Sequence, residues 1–473
     1  MGEEKEKLLD DSNGDMSDEK GHVTFVLIFS IFTAVLGSFA GGCAMGYSTP
    51  VQSSLITDLR LSTAEFSLFG SLLTVGGLLG ALVCGKITDC IGRRATMGLS
   101  SYLFLIGWLT IACSQGSWSL DFGRLALGFA NGITVYAVPV YIAEITPKDL
   151  RGGSVLLHQV MLCSGIAVVF MSGIITSWQI LALIGTLPCL IQLVGIYFIP
   201  ESPRWLIRKQ HSLELPVKSS CSLDYEAALQ RLRGTNTDIS EEAAAIKANT
   251  EAIGNNVKHK FSNVFQKKYA YALIVCLGLM ALAGFGGTFG ILFYATAIFD
   301  SAGFSGTIGS SAMGLIQLPP TVLGVFLMDK FGRRPLLLFS AAGMGTGTLS
   351  LALSFLLKEH DLMTDFSPYL ALFGILLFAA TYPVGMGGVP FVIMSEIFPI
   401  NIKGAAGSLA TVVSFTSSWI VSYAFNFMMV WSSYGTFLVF TGVNVISLLF
   451  VAKLVPETKG RTLEEIQTLV TYK

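Results

Sequence analysis

An all-helical membrane protein, with twelve transmembrane helices arranged as two six-helix bundles, is the fold class that three observations predict. The chain of 473 residues is 52% apolar and only 13% charged, with a mean hydropathy of +0.65, far from a soluble globular average. It holds twelve apolar runs, each near the roughly 20 residues needed to cross a hydrocarbon core of about 30 Å. Its two halves also carry the same charged phrases in the same order. Runs this long are helices and not barrel strands, because lipid offers an unpaired amide no partner.

The runs fall at 23–46, 65–85, 95–114, 119–142, 153–176 and 180–198, then at 269–293, 307–328, 335–357, 367–392, 405–428 and 434–455. They divide the chain into an acidic tail (1–22), a first bundle (23–200), a polar linker (201–265), a second bundle (266–455) and a tail (456–473). The first tail, MGEEKEKLLDDSNGDMSDEK, lacks the basic-then-apolar order of a cleaved signal, and its composition is that of a disordered segment.

A net charge of −1 excludes the strongly basic surface that a nucleic-acid partner would need. The cations are sorted instead of scattered. Lys86, Arg93, Arg94, Lys148, Arg151, Lys330, Arg333, Arg334 and Lys403 fall in even-numbered connections, and the other side has chiefly Arg60, Arg124 and Lys358. The positive-inside rule then puts those connections, the linker and both termini in the cytosol. The eight cysteines sit mostly inside apolar runs without metal-ligand spacing, so they read as small apolar side chains, and neither a metal nor a cofactor is expected.

Three phrases occur twice. GKITDCIGRR (85–94) returns as GVFLMDKFGRR (324–334), VPVYIAEITPKDLRG (138–152) as VPFVIMSEIFPINIKG (389–404), and PESPRW (200–205) as PETKGR (456–461). The offsets from Asp89 to Asp329, Glu144 to Glu396 and Pro200 to Pro456 are 240, 252 and 256 residues, which marks a duplicated six-helix half. Gly85 is expected to allow a close helix approach, Asp89 to accept hydrogen bonds at the membrane face, and Arg93 and Arg94 to sit in the headgroup zone. Pro147 ends one helix and Arg151 begins the next; Asp329, Arg333, Arg334, Glu396, Pro399 and Lys403 repeat the pattern. Opposite charges at matching edges are expected to pair between the halves and to break and reform as the halves rock. That makes a mechanical switch, not a catalytic site. Small residues four apart, Gly76 and Gly80, Gly128 and Gly132, Gly286 and Gly290, favour close backbone packing.

From Val23 to the last turn the chain resembles a sugar porter of the major facilitator superfamily, through its GRR, PESPRW and PETKG phrases. RLALGFANGITVYAVPVYIAEITPKDLRG (124–152), ALQRLRGTNTDISEEAAAI (228–246), SAGFSG (301–306) and VIMSEIFPINIKG (392–404) most resemble the plant early-response-to-dehydration-like monosaccharide transporters. The resemblance implies a major facilitator fold with a central site open alternately to each side. It also implies short helices in the linker, a sugar or polyol as the small-molecule partner, and one chain as the transport unit. Glu4, Leu8 and Leu9 fit an acidic dileucine sorting signal for adaptor proteins. In such relatives the signal goes with the vacuolar membrane, the first choice here, ahead of the plasma membrane.

Hydroxyl-rich ligands need amides that donate and accept, and an aromatic face for the ring. The resemblance places Gln159, beside His158, and Trp419 where relatives contact the sugar, and puts Phe391 where they carry a Trp; Thr288, Tyr294, Gln317, Ser422 and Asn426 are the other polar groups left to line a cavity, and Gln159, Thr288, Phe391, Trp419 and Asn426 are the expected solute contacts. It fails in the seventh helix, where relatives carry a Gln pair and, five residues on, an Asn; this chain has Ala283, Gly284 and Phe289. Each lost amide contact is worth about 1 kcal/mol net. Proton-coupled relatives carry a carboxylate in the first helix, and none stands between Val23 and Asp58, which favours facilitated diffusion over proton symport. The stripped seventh helix leaves open a cargo less hydroxylated than a hexose, or a non-transporting sensor. An enzyme is not expected, since no nucleophile, base and orienting group stand at motif spacing.

Overall fold

The structure is a computed structural model that describes residues 24–147, 151–212, 220–234, 237–244, 246, 266, 269–398 and 400–459. The dileucine residues Glu4, Leu8 and Leu9 lie outside these.

Several helices begin where a side chain satisfies the first free amides. Thr24 caps α1 (Phe25–Gly46), accepting from the Leu27 amide at 3.1 Å. After α2 (Ser48–Leu59), Ser62 and Glu65 form a reciprocal capping box at the start of α3 (Thr63–Ile91), which satisfies two otherwise orphaned donors. The first half continues with α4 (Arg93–Ala112), α5 (Ser117–Ile145), α6 (Arg151–Ser172) and α7 (Trp178–Ile196). Two short helices follow, α8 (Pro203–Ser212) and α9 (Ser220–Arg233). Thr24 donates to the Leu232 carbonyl at 2.6 Å and Arg233 to that of Ile145 at 2.9 Å, so α9 is tied to the start of α1 and the end of α5.

The second half comprises α10 (Ala270–Phe285), α11 (Thr288–Ala302), α12 (Gly306–Ile316), α13 (Leu318–Phe331), α14 (Arg333–Glu359), α15 (Ser367–Thr381), α16 (Val389–Ile397), α17 (Ile400–Trp431) and α18 (Ser433–Leu454). Among the described residues eleven spans are long and apolar enough to cross a membrane, and Leu157–Ser172 of α6 adds a shorter apolar helix. Three spans are broken in the middle: α10 to α11, α12 to α13 at Gln317, and α15 to α16 through a 3-10 turn at Tyr382–Val384.

A broken helix frees main-chain groups that lipid cannot satisfy. At the α10–α11 break Gly287 takes φ +96°, a left-handed conformation that glycine adopts without strain. Asn444 of α18 donates to the Gly286 carbonyl at 3.3 Å. The seventh apolar run is therefore two helices with a supported joint.

Packing follows the small residues. A Cβ added at Gly76 or Gly128 would collide with the main chain of the other helix, and one at Gly80 or Gly132 likewise, so α3 and α5 touch backbone to backbone. Gly42 and Gly165 do the same for α1 and α6. The expectation for Gly85 is not met: nothing among the described residues stands within 4 Å of the Cβ position. Gly132→Leu is expected to cost about 1–3 kcal/mol or more through overpacking and to lower the thermal unfolding midpoint, whereas Gly85→Leu leaves it unchanged.

Candidate functional site

Two ends of the molecule carry different chemistry. At the arginine-rich end α4 and α14 start at Gly92 and Gly332, both with φ +95°, and neither has a local side-chain cap. A distant glutamate does the work in each half. Glu201 accepts from the amides of Arg93 at 3.0 Å, Arg94 at 3.1 Å and Ser202 at 2.9 Å. Glu457 accepts from those of Arg333 and Arg334 at 3.0 Å, of Thr458 at 3.0 Å and of Lys459 at 2.9 Å. An anion at a helix N-terminus meets both free amides and the positive end of the dipole. It also ties the end of the sixth span to the third and the end of the twelfth to the ninth.

The side chains of the same arginines hold the next helix. Arg93, 3% exposed, donates to Glu144 through Nε at 2.9 Å and Nη2 at 3.1 Å, and to Asp89 at 3.3 Å. Ser202 Oγ adds a bond to Glu144. Trp205 Nε1 reaches the Asp89 carbonyl at 2.9 Å, and Arg208 its carboxylate at 3.1 Å. In the second half Arg333 Nη2 meets Glu396 at 2.9 Å, but Arg333 Nε and Glu396 Oε2 have no partner among the described residues. The first bond set is a bidentate fork and the second a single tine. Arg94 and Arg334 turn their guanidiniums to the carbonyls of Tyr197 and Ala452.

Pairing between the halves was the expectation; among the described side chains the ion pairs at this end, Arg93 with Asp89 and Glu144, Arg208 with Asp89 and Arg333 with Glu396, each lie inside one half. The reason is reach, since each arginine begins the helix beside its own half's glutamates. The side chains of Arg151, Asp329 and Lys403 lie outside the described set. Glu201, Glu457 and Trp205 were missed as separate residues; the duplicated Pro-Glu phrase was the signal that held them.

The halves meet chiefly toward the opposite end. Asn426 Nδ2 donates to Ser67 Oγ at 2.9 Å, Thr49 Oγ1 bonds to the Leu292 carbonyl, and the Phe66 and Tyr294 rings meet at 6.1 Å, edge to face. Nearer mid-membrane, Cys163 and Thr321 are 3.5 Å apart. One continuous buried cluster includes Phe66, Phe69, Phe170, Phe293, Tyr294 and Phe425 from both halves. A crevice of about 230 Å³ opens beside this seam, walled by Thr63, Tyr294, Phe425, Asn426 and Ser433. Arg124, counted above with the charges on this side, is instead wholly buried inside α5.

The residues expected to contact a solute differ in their surroundings. Gln159 is half-buried, with its amide 3.9 Å from Cys163 Sγ, while its neighbour His158 holds Ser38 of α1 at 2.6 Å. Thr288 begins α11 and is 8% exposed. Phe391 is 42% and Trp419 40% exposed, and Trp419 stacks on Tyr423 along α17. Asn426 is engaged in the seam. Tyr294 donates to the Ser422 carbonyl at 3.1 Å, Ser422 to that of Trp419 at 3.1 Å and Gln317 to that of Gly314 at 3.3 Å. In the seventh span a Cβ at Gly284 would overlap Ser417 Oγ of α17, and Phe289 stacks edge to face on Phe293 at 5.4 Å. No longer side chain fits at Gly284 unless α17 moves.

Burial pushes the Glu201 carboxyl above its ordinary range despite the main-chain bonds that oppose it. Burial acts the same way on Glu457, but there the four amides together win and its pKa is lowered. The signs for stability are opposite. The folded state holds the Glu201 proton more tightly, so that contribution shrinks as pH rises through its raised value. The Glu457 contribution is present above the ordinary carboxylate range and is lost as pH falls through its lowered value. Thermal unfolding followed against pH should lose part of its acid-side fall in Glu457→Gln and part of the opposing slope in Glu201→Gln.

Residues 18–470 match the family model described as "Sugar (and other) transporter". The chain is 45% identical over 466 residues to Sugar transporter ERD6-like 7 of Arabidopsis thaliana, covering 98% of each chain. It is 46% identical over 455 residues to Sugar transporter ERD6-like 17 of the same plant, covering 96% of this chain and 94% of that one. Among solved structures, the inward-open conformation of the xylose transporter XylE from E. coli superposes with a TM-score of 0.78 at 25% identity, covering 94% of this chain and 99% of that one. XylE bound to 6-bromo-6-deoxy-D-glucose gives a TM-score of 0.76 at 24% identity, covering 95% and 100%.

Proposed function

Since the chain belongs to the sugar transporter family, as a multi-pass membrane carrier and not an enzyme, we propose that it moves a monosaccharide or related polyol by facilitated diffusion. The halves rock about the central region, and the arginine-rich end faces the cytosol with both termini. The observation that carries this reading is the contrast between the ends. One is sealed by contacts between the halves, and at the other the charges brace each half separately, which leaves the halves free to separate there.

The braces have a mechanical use. A bundle that tilts as a rigid body must keep its helix ends together while its contacts with the partner bundle change. Arg93 with Asp89 and Glu144, and Arg333 with Glu396, hold those ends; Arg94, Arg334, Arg151, Lys403 and Asp329 complete the gate. Neutralising Glu144 or Arg333, as Glu144→Gln or Arg333→Met, slows exchange more than it weakens binding. Unchanged exchange rates in both variants, measured by counterflow, would refute this.

Gln159, Thr288, Phe391, Trp419 and Asn426 contact the solute when the seam loosens. Gln159 is the best placed of them, because among the described residues its amide has a thiol as its one partner. Facilitation is favoured over proton coupling because no carboxylate lies between Val23 and Asp58 to carry a proton. The vacuolar membrane is the site of action, reached through adaptor proteins that read Glu4, Leu8 and Leu9, and one chain is the transport unit.

Proteoliposomes given labelled sugars and polyols, with and without a pH gradient, test the reading. Uptake that equilibrates without the gradient is the expected result. Accumulation driven only by the gradient would replace the facilitator with a symporter. Uptake of none of the panel would favour a different cargo or a sensor, a reading that the close packing of Gly284 on α17 motivates.

A further inference from the structure

Arg124 is a buried cation without a counter-ion. Its side chain is 0% exposed in the middle of α5's outer half, and no ion pair among the described residues includes it. A lone charge in such a place is costly. What holds it is the Ala44 carbonyl at 2.6 Å and Ser48 Oγ, at the joint where α1 ends and α2 begins. Free carbonyls at a helix C-terminus attract a cation. Its Nε has no partner among the described residues.

Two aromatic faces complete the shell. The guanidinium carbon stands 5.1 Å from the Phe69 ring centroid and 5.7 Å from that of Phe293. Both distances lie within the range at which a cation is drawn to a ring face. Phe69 belongs to α3, in the same half as Arg124. Phe293 belongs to α11, in the other half.

We infer that Arg124 and Phe293 form an uncharged-partner latch that holds the outer seam closed, making them positioning residues for the transport cycle. When the halves part at that end, Phe293 leaves with α11 while Phe69, Ala44 and Ser48 stay with Arg124. The cation then loses one ring face with no carboxylate paired to it among the described residues, so the opened state is disfavoured relative to the sealed one. Thr49, which bonds to the neighbouring Leu292 carbonyl, and Tyr294, which faces Phe66, belong to the same strip of contacts. Of this strip the cation–ring pair alone depends on charge.

The inference rests on alternating access but not on which solute is carried, so its test uses no solute. Ser67→Cys places a reporter thiol at a wholly buried seam position opposite Asn426. The initial rate of its labelling by a polar maleimide in the detergent-solubilised full chain, less that of the same protein without the reporter, reads opening of the seam. Phe293→Leu, which keeps apolar bulk and removes the ring, is expected to raise that rate roughly fivefold to thirtyfold. Phe293→Trp, which restores a ring face, should stay near the parent. Phe69→Leu, which removes the ring that never leaves Arg124, should also stay near the parent. Arg124→Met is the second route and should match Phe293→Leu. An unchanged rate in Phe293→Leu, an equal rise in Phe69→Leu, or a Phe293→Trp rate as high as that of Phe293→Leu would overturn the latch. None of these results depends on whether the sugar panel is transported.

Discussion

Hydrocarbon leaves no main-chain donor or acceptor a partner in the solvent, and this constraint shapes every feature described above. It makes the spans helical. It also concentrates the interesting chemistry at the places where a helix must start, stop or break. At Gly92 and Gly332 the chain turns through a left-handed glycine and has no side chain of its own to close the next helix. Glu201 and Glu457 supply that closure from the far end of each half. The same arginines whose amides they accept then extend their side chains to Glu144 and Glu396. One requirement, capping two helix ends, thus organises the whole charged rim.

The broken spans obey the same rule from inside the membrane. The α10–α11 joint keeps its Gly286 carbonyl bonded to Asn444, so the break is part of the packed structure and not a defect. Breaking there frees α11 to lean across the boundary between halves, where Leu292, Phe293 and Tyr294 all meet first-half residues. The glycines of α10 are equally engaged: Gly278 faces Phe450 and Gly284 faces Ser417. This span is in close contact with its neighbours at both positions.

The two ends of the molecule therefore resist motion in different ways. Among the described residues, ion pairs at the arginine-rich end stiffen each bundle without joining the two. Aromatic and neutral polar contacts at the other end join the bundles, without a carboxylate among the described residues of that seam. Weak contacts of about 0.5–1.5 kcal/mol each suit a boundary that must open and close, while a fork of charge-assisted bonds suits a rim that must not.

How much of this was legible from the residues differs by feature. Composition and run length determined the helical membrane class, and the twice-written GRR, Ile-Thr/Phe-Pro and Pro-Glu phrases determined the twofold repeat, because lipid and duplication both leave marks that are local in the chain. The close approach of Gly76 to Gly128 could be anticipated as a type of contact, though not its partner. Three matters were decided only by the tertiary structure: that Arg93 and Arg333 pair within their own halves, that Arg124 is buried between Phe69 and Phe293, and that Gly284 abuts α17. Each is a statement about which side chain lies nearest across a helix boundary. Spacing along the chain says which face a residue occupies, but the neighbour on the other side of that face depends on how the helices are arranged in three dimensions.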